Sequence, residues 1–170
     1  MANVEKDILM FLEYYADKAS VLDSSNKRSP TKLWQNFYQP PQDLTGIDSA
    51  GPTSNFFYLA FDADGFGNSE ASATGSLTIN LAATAEIVDL TDTAITGDRL
   101  VICSLYIQNI GEESVHSSAQ LISRYIGTIQ SVSLTDETAT WVVGPAISKN
   151  KAQVPCRKIA SDLIGRFVNR

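Results

Sequence analysis

The loop Asp62-Ala-Asp64-Gly-Phe-Gly-Asn68-Ser-Glu70 comes nearest to chemistry by residue type and spacing. Alternate acids followed by glycine are how a calcium loop begins, so Asp62, Asp64 and Glu70 are the weak metal candidates of this chain. The pattern departs from an EF-hand at its fifth position, Phe66, and at its twelfth, Ala73, where a glutamate is needed. A glycine-rich turn whose Asp and Asn side chains accept backbone N–H bonds explains the same residues and is the preferred reading.

The single histidine, His116, sits in Val115-His-Ser-Ser118. A serine nucleophile needs the imidazole within hydrogen-bond reach and a carboxylate to orient it. Glu112, Glu113, Ser117 and Ser118 are near along the chain, which does not supply that geometry, and His116 reads as a solvated loop residue. One histidine and two distant cysteines, Cys103 and Cys156, give no zinc spacing. Two cysteines in 170 residues are not a disulfide scaffold either. No phosphate-cradling glycine loop or dinucleotide fingerprint occurs. The sequence therefore assigns no catalytic residue and no cofactor, and reads as that of a non-enzyme.

Charge offers a different kind of candidate. The net charge is −6, but its distribution is uneven. Residues 149–170 carry six cations against Asp162, or +5, which leaves 7 basic and 18 acidic residues, or −11, in residues 1–148. Arg157, Lys158, Arg166 and Arg170 are the candidate contacts to a neighbouring subunit or to a polyanion such as nucleic acid. A solvated last helix with its cations toward the negative end of the dipole is the plainer alternative.

The elements that must position these groups follow from periodicity. Leu100–Ile110 is apolar on both faces, with Val101, Cys103, Leu105 and Ile107 on one and Leu100, Ile102 and Tyr106 on the other. Such a strand is covered on both sides and belongs at the centre. Val4–Ala19 has apolar residues at helical spacing and predicts a helix, although five successive apolar residues from Ile8 to Leu12 make its stripe wide. Ser29-Pro30 predicts a second, short helix over Thr31–Gln39, stopped by Pro40-Pro41. Strands are predicted at Asn55–Phe61, Ser76–Leu81, more weakly at Ala85–Leu90, and at Ala119–Leu134 with a bend at Gly127. Ala139–Val143 is the return strand, and Pro155 opens a C-terminal helix over Cys156–Val168.

The expected fold is α+β and mainly antiparallel β, sandwich-like, jelly-roll-like or a barrel, with two N-terminal helices and one C-terminal helix. A single domain is expected over 1–170: a helical segment over 1–40, an antiparallel core over 55–148 and a basic helix over 155–170. No apolar run approaches the length of a membrane span. The opening lacks the basic-then-apolar order of a signal peptide, so a cytoplasmic or virion location is expected.

The segments Phe11–Ala19 and Leu33–Gly46, FLEYYADKA and LWQNFYQPPQDLTG, resemble the opening of nuclear-transport-factor-2-like cone folds. The resemblance spans about 40 residues and implies a curved sheet around a cavity, with Tyr14, Tyr15, Trp34 and Tyr58 lining it. Ordinary aromatic core accounts for the same four residues. Three functional expectations result. The first is a self-assembling structural subunit of a virion or phage particle, a coat or tail component that contacts itself and nucleic acid. The second is a pocket protein, and the third an acidic assembly or secretion chaperone.

Overall fold

The structure, a computed structural model, describes residues 6–17, 26–66, 75–94, 99–109 and 119–145. Eight strands and one helix follow in the order β1 (Lys6–Tyr15), β2 (Lys32–Gln35), β3 (Phe57–Tyr58), β4 (Phe61–Asp64), β5 (Leu77–Ala82), α1 (Ala85–Ala94), β6 (Leu100–Asn109), β7 (Gln120–Leu134) and β8 (Thr138–Pro145). They form one curled sheet in the order β3-β2-β1-β6-β7-β8-β5-β4. All neighbours are antiparallel except β2 and β3.

The two outermost strands, β3 and β4, are successive pieces of one extended segment. Phe57 and Tyr58 pair with Trp34 and Gln35, and the Leu59 N–H still donates to the Gln35 carbonyl at 3.0 Å. The Ala60 carbonyl then accepts from Ala82, and Phe61–Asp64 pairs with β5. One segment thus hands over from one end of the sheet to the other, which is why the sheet curls on itself. Inside the curl lie Leu12, Tyr14, Trp34, Phe61, Leu77, Ile79, Leu81, Val101, Cys103, Trp141 and Val143. Helix α1 contributes Ile87 to this core, and its buried Thr91 hydroxyl accepts the Trp141 indole N–H at 2.9 Å.

The sequence expectation of a central strand agrees with β6, fourth of eight and paired along its length with β1 and β7. Its core portion is shorter than expected: Val101 and Cys103 are fully buried, whereas Leu105 and Ile107 are half-buried. The predicted N-terminal helices are overturned. Lys6–Tyr15 is a strand with Met10, Leu12 and Tyr14 facing the inner core and Leu9, Phe11, Glu13 and Tyr15 the opposite face. Its wide apolar run, too broad for one helix face, is what a strand covered on both sides requires. The second predicted helix contains β2, whose Leu33 and Trp34 pack to opposite sides.

Conversely, the weak strand predicted at Ala85–Leu90 is α1. Thr84 caps it, its hydroxyl accepting the Ile87 N–H at 3.3 Å, and Ile87, Thr91 and Ala94 form the buried stripe. The predicted C-terminal helix lies outside the described residues. In place of two packed layers of a sandwich or jelly roll there is one curled, mixed sheet, and the nuclear-transport-factor-2-like opening helix is absent because that segment is β1.

The change of phase anticipated at Gly127 falls nearby, where the β7–β8 register shifts between Ile129 and Ser131. Gly127 instead permits close approach of the strands, since a Cβ there would collide with the Gly144 carbonyl and with Val143 across the ladder.

Replacing Leu12, fully buried between β2 and β6, by alanine is expected to cost about 2–5 kcal/mol, and the same change at half-buried Leu105 clearly less. Urea denaturation of both variants checks the order; a larger loss at Leu105 contradicts this packing.

Candidate functional site: a clasped loop beside an open strand edge

The outer faces of β1, β2 and β6 carry a second apolar cluster, and residues 36–56 fold over it. Phe11 stands at the centre of this second cluster. Its ring makes edge-to-face contacts with Phe37, Phe56 and Tyr106 at centroid distances of 5.3, 4.8 and 5.5 Å. Leu9, Leu33 and Leu44 complete the cluster. Gln35, fully buried, satisfies the covering loop's backbone: its amide N–H groups donate to the Phe37 and Gln39 carbonyls at 3.2 and 3.0 Å, and its carbonyl oxygen accepts from the Gln42 N–H at 3.2 Å.

Beyond Phe11 the face turns polar. Glu13, fully buried on β1, accepts two hydrogen bonds from Arg28, from Nε at 2.8 Å and from Nη2 at 2.9 Å. The Tyr15 hydroxyl donates to Glu13 at 2.6 Å. Arg28 Nη2 also reaches Asp48 at 2.7 Å, and Asp48 accepts from Arg124 on β7. Arg124 Nε donates to the Ser104 hydroxyl of β6 at 2.9 Å. Two carboxylates and two guanidiniums therefore alternate in a chain that pins the loop to three strands.

The electrostatics follow from the geometry. Burial works to raise the Asp48 carboxyl, but the hydrogen bond and charge of Arg28, the charge of Arg124 and the Ala50 N–H outweigh it and hold the group below its usual 3.8. Burial alone would lower Arg28, yet Glu13 and Asp48 more than compensate and raise it. Burial first, then the charge of Glu13, pushes the Tyr15 phenol up, so it stays a neutral donor. The Cys103 thiol is raised by burial and by Glu13, which makes it a core residue and no thiolate nucleophile. Every charge in the chain of ion pairs faces an opposite one. This arrangement holds a loop in place; it presents no activated nucleophile to a substrate.

The chain matches no known protein-family model and no curated protein.

Around Arg124, β7 has a described partner on one side only. β7 pairs with β6 over Gln120–Thr128, but β8 meets it only from Gly127 onward, where Pro145 lies opposite. Among the described residues nothing pairs with the other side of residues 120–126. Leu121, Ile122 and Ile126 on this stretch are each about half exposed. Ile122 is the extra residue of a bulge, since Ser123 and Leu121 oppose the adjacent Leu105 and Tyr106.

The residues singled out from sequence fall elsewhere. Asp62 and Asp64 are exposed on β4, and the Asp62 carboxylate is engaged with the Ala63 N–H at 2.9 Å; Glu70 lies outside the described residues. Among the described residues no three His, Cys, Asp or Glu side chains converge on a metal position. His116, Cys156, Arg157, Lys158, Arg166 and Arg170 lie outside the described residues. The four aromatics expected around one cavity are separated: Tyr14 and Trp34 pack in the inner core, Tyr15 on the opposite face, and Tyr58 meets exposed Tyr38 edge to face at 5.4 Å.

Sequence reading misses the clasp because its members, Glu13, Arg28, Asp48 and Arg124, are spread over 111 positions. The available signal is Glu13 itself, the one charged residue in the apolar run Ile8–Tyr15.

Two outcomes test the clasp. Arg28→Met strands the buried Glu13 charge and is expected to cost about 3–5 kcal/mol in urea unfolding. Because the Asp48 carboxyl is lowered by folding, its contribution is complete above its unfolded value near 3.8 and fades as pH falls through the folded one. The stability difference between wild type and Asp48→Asn should therefore be constant above about pH 5 and shrink toward pH 2.

Proposed function

We propose that this chain is a non-enzymatic, self-assembling structural protein, a subunit of a virion or phage particle such as a coat or tail component. The observation that carries the reading is the second side of β7 over residues 120–126, which no described residue pairs, beside three half-exposed apolar side chains. Natural sheets guard such edges with lysine, proline or inward charges, because an unguarded one pairs with another chain. The only charge on this stretch is Arg124, and Asp48 and Ser104 already hold it. Ion pairing on the clasp thus leaves residues 120–126 without an unpaired charge.

The surface composition supports the same reading, with charged residues only 19% of the chain. In this reading the partner is a further copy of the chain, in the cytoplasm during assembly and in the particle afterwards. Residues 149–170, with their net +5, supply a contact to the acidic remainder of a neighbour or to packaged nucleic acid.

Analytical ultracentrifugation of the full chain tests the proposal. Wild type should sediment as an oligomer. Ile126→Lys and Leu121→Lys should shift it toward monomer while the circular dichroism spectrum stays unchanged, since both positions are already half in water. Changing Arg157, Lys158, Arg166 and Arg170 together to glutamine should weaken assembly most at low salt. A monomeric wild type sinks the proposal. An oligomer indifferent to both edge variants removes the role given to β7.

A further inference from the structure

A cleft of about 400 Å³ is lined by residues 30–34 and 54–55, where β2 and β3 come into register at Trp34 and Phe57. Its size is at the lower end of small-molecule sites. Lys32 and Trp34 alternate along β2 onto the same face, and Phe57 stands opposite Trp34 in the parallel pair. Trp34 is buried and continues inward through ring contacts with Tyr14 at 6.4 Å and Trp141 at 6.5 Å. Phe57 is 61% exposed, an aromatic wall left in water. Across the mouth, Glu86 in the first turn of α1 forms an ion pair with Lys32.

One cation and one anion therefore flank two aromatic rings. We propose that this cleft binds a small zwitterion, a molecule of the free amino-acid class with an ammonium, a carboxylate and an apolar body. The ammonium meets Glu86, the carboxylate meets Lys32, and the apolar body lies against Trp34 and Phe57. Charge complementarity selects this class: an anion alone leaves Glu86 facing like charge, and a cation alone does the same to Lys32. The Lys32–Glu86 pair does not obstruct the ligand, because its side chains are 41% and 46% exposed and such pairs contribute little. A zwitterion separates the pair and gives each partner a new one. The lining residues include no member of the clasp and none of residues 120–126, so the proposal stands apart from the assembly reading.

The experiment is a titration of the ¹⁵N-labelled full chain with L-phenylalanine, followed at the tryptophan indole N–H signals by NMR. The chain has two tryptophans, so Trp34→Phe assigns both. Trp141, bonded to Thr91, serves as the internal reference. L-Phenylalanine should move the Trp34 signal saturably. Phenethylamine and 3-phenylpropionate, each lacking one charge, should bind at least about tenfold more weakly, the loss of one charge-assisted hydrogen bond. Lys32→Gln should weaken phenylalanine and 3-phenylpropionate but not phenethylamine, and Glu86→Gln should weaken phenylalanine and phenethylamine but not 3-phenylpropionate. No saturable shift with phenylalanine overturns the proposal. So does equal binding of all three compounds, or affinity for phenylalanine unchanged in both variants.

Discussion

The ten-residue antiparallel ladder between β1 and β6 is the constraint from which the rest of this molecule follows. Both strands are apolar on both faces over most of their length, so each face must be covered. The curl of the sheet covers one: β5, β8 and the segment 57–64 come round, and α1 adds Ile87 to the enclosed core. Among the described residues there is no second sheet for the other face, and residues 36–56 take that place. A loop lying on an apolar surface brings unpaired backbone groups with it. The buried polar side chains on that face, Gln35 and Glu13, answer this need, the first by bonding the loop's own backbone and the second by holding Arg28.

This dependence explains what can be read from the chain and what cannot. β6 is legible because its period-two pattern is apolar on both faces between turn residues. Ser76–Leu81, which holds β5, is legible because strict alternation admits no helix. β1 is deceptive because residues 8, 11, 12 and 15 satisfy a helical stripe as well as they satisfy two strand faces. Periodicity does not separate these cases when both faces are buried. What decides is pairing with β6, a contact 85 to 103 residues away along the chain. For α1 the ambiguity runs the other way: the short stretch Ala85–Leu90 holds β-branched Ile87 and Val88, while the decisive signal is Thr84, with its capping hydroxyl, just before it. The clasp is invisible for a related reason. Four charged residues on four separate segments carry no local signature.

The closure of the curl also determines where the molecule stays open. Segment 57–64 serves β2 with its first half and β5 with its second, so the two ends of the sheet are joined by one backbone. What remains is the cleft lined by residues 30–34 and 54–55 where β2 and β3 begin to pair, and the second side of β7 over residues 120–126, which no described residue pairs.

The pairing of β1 with β6 has a consequence for how the chain emerges from the ribosome. Lys6 meets Asn109 and Tyr15 meets Leu100, so β1 leaves the exit tunnel about 85 to 103 residues ahead of its partner. At ~5–20 residues per second, that is a wait of roughly 4–20 s. Throughout it, Leu9, Phe11, Leu12 and Tyr14 have no strand to join except the short β2, and the buried Glu13 has only Arg28. Long-range antiparallel topologies of this kind fold late and slowly. The nascent chain therefore spends seconds with the apolar run of β1 lacking its main partner, the kind of exposed surface that chaperones exist to cover.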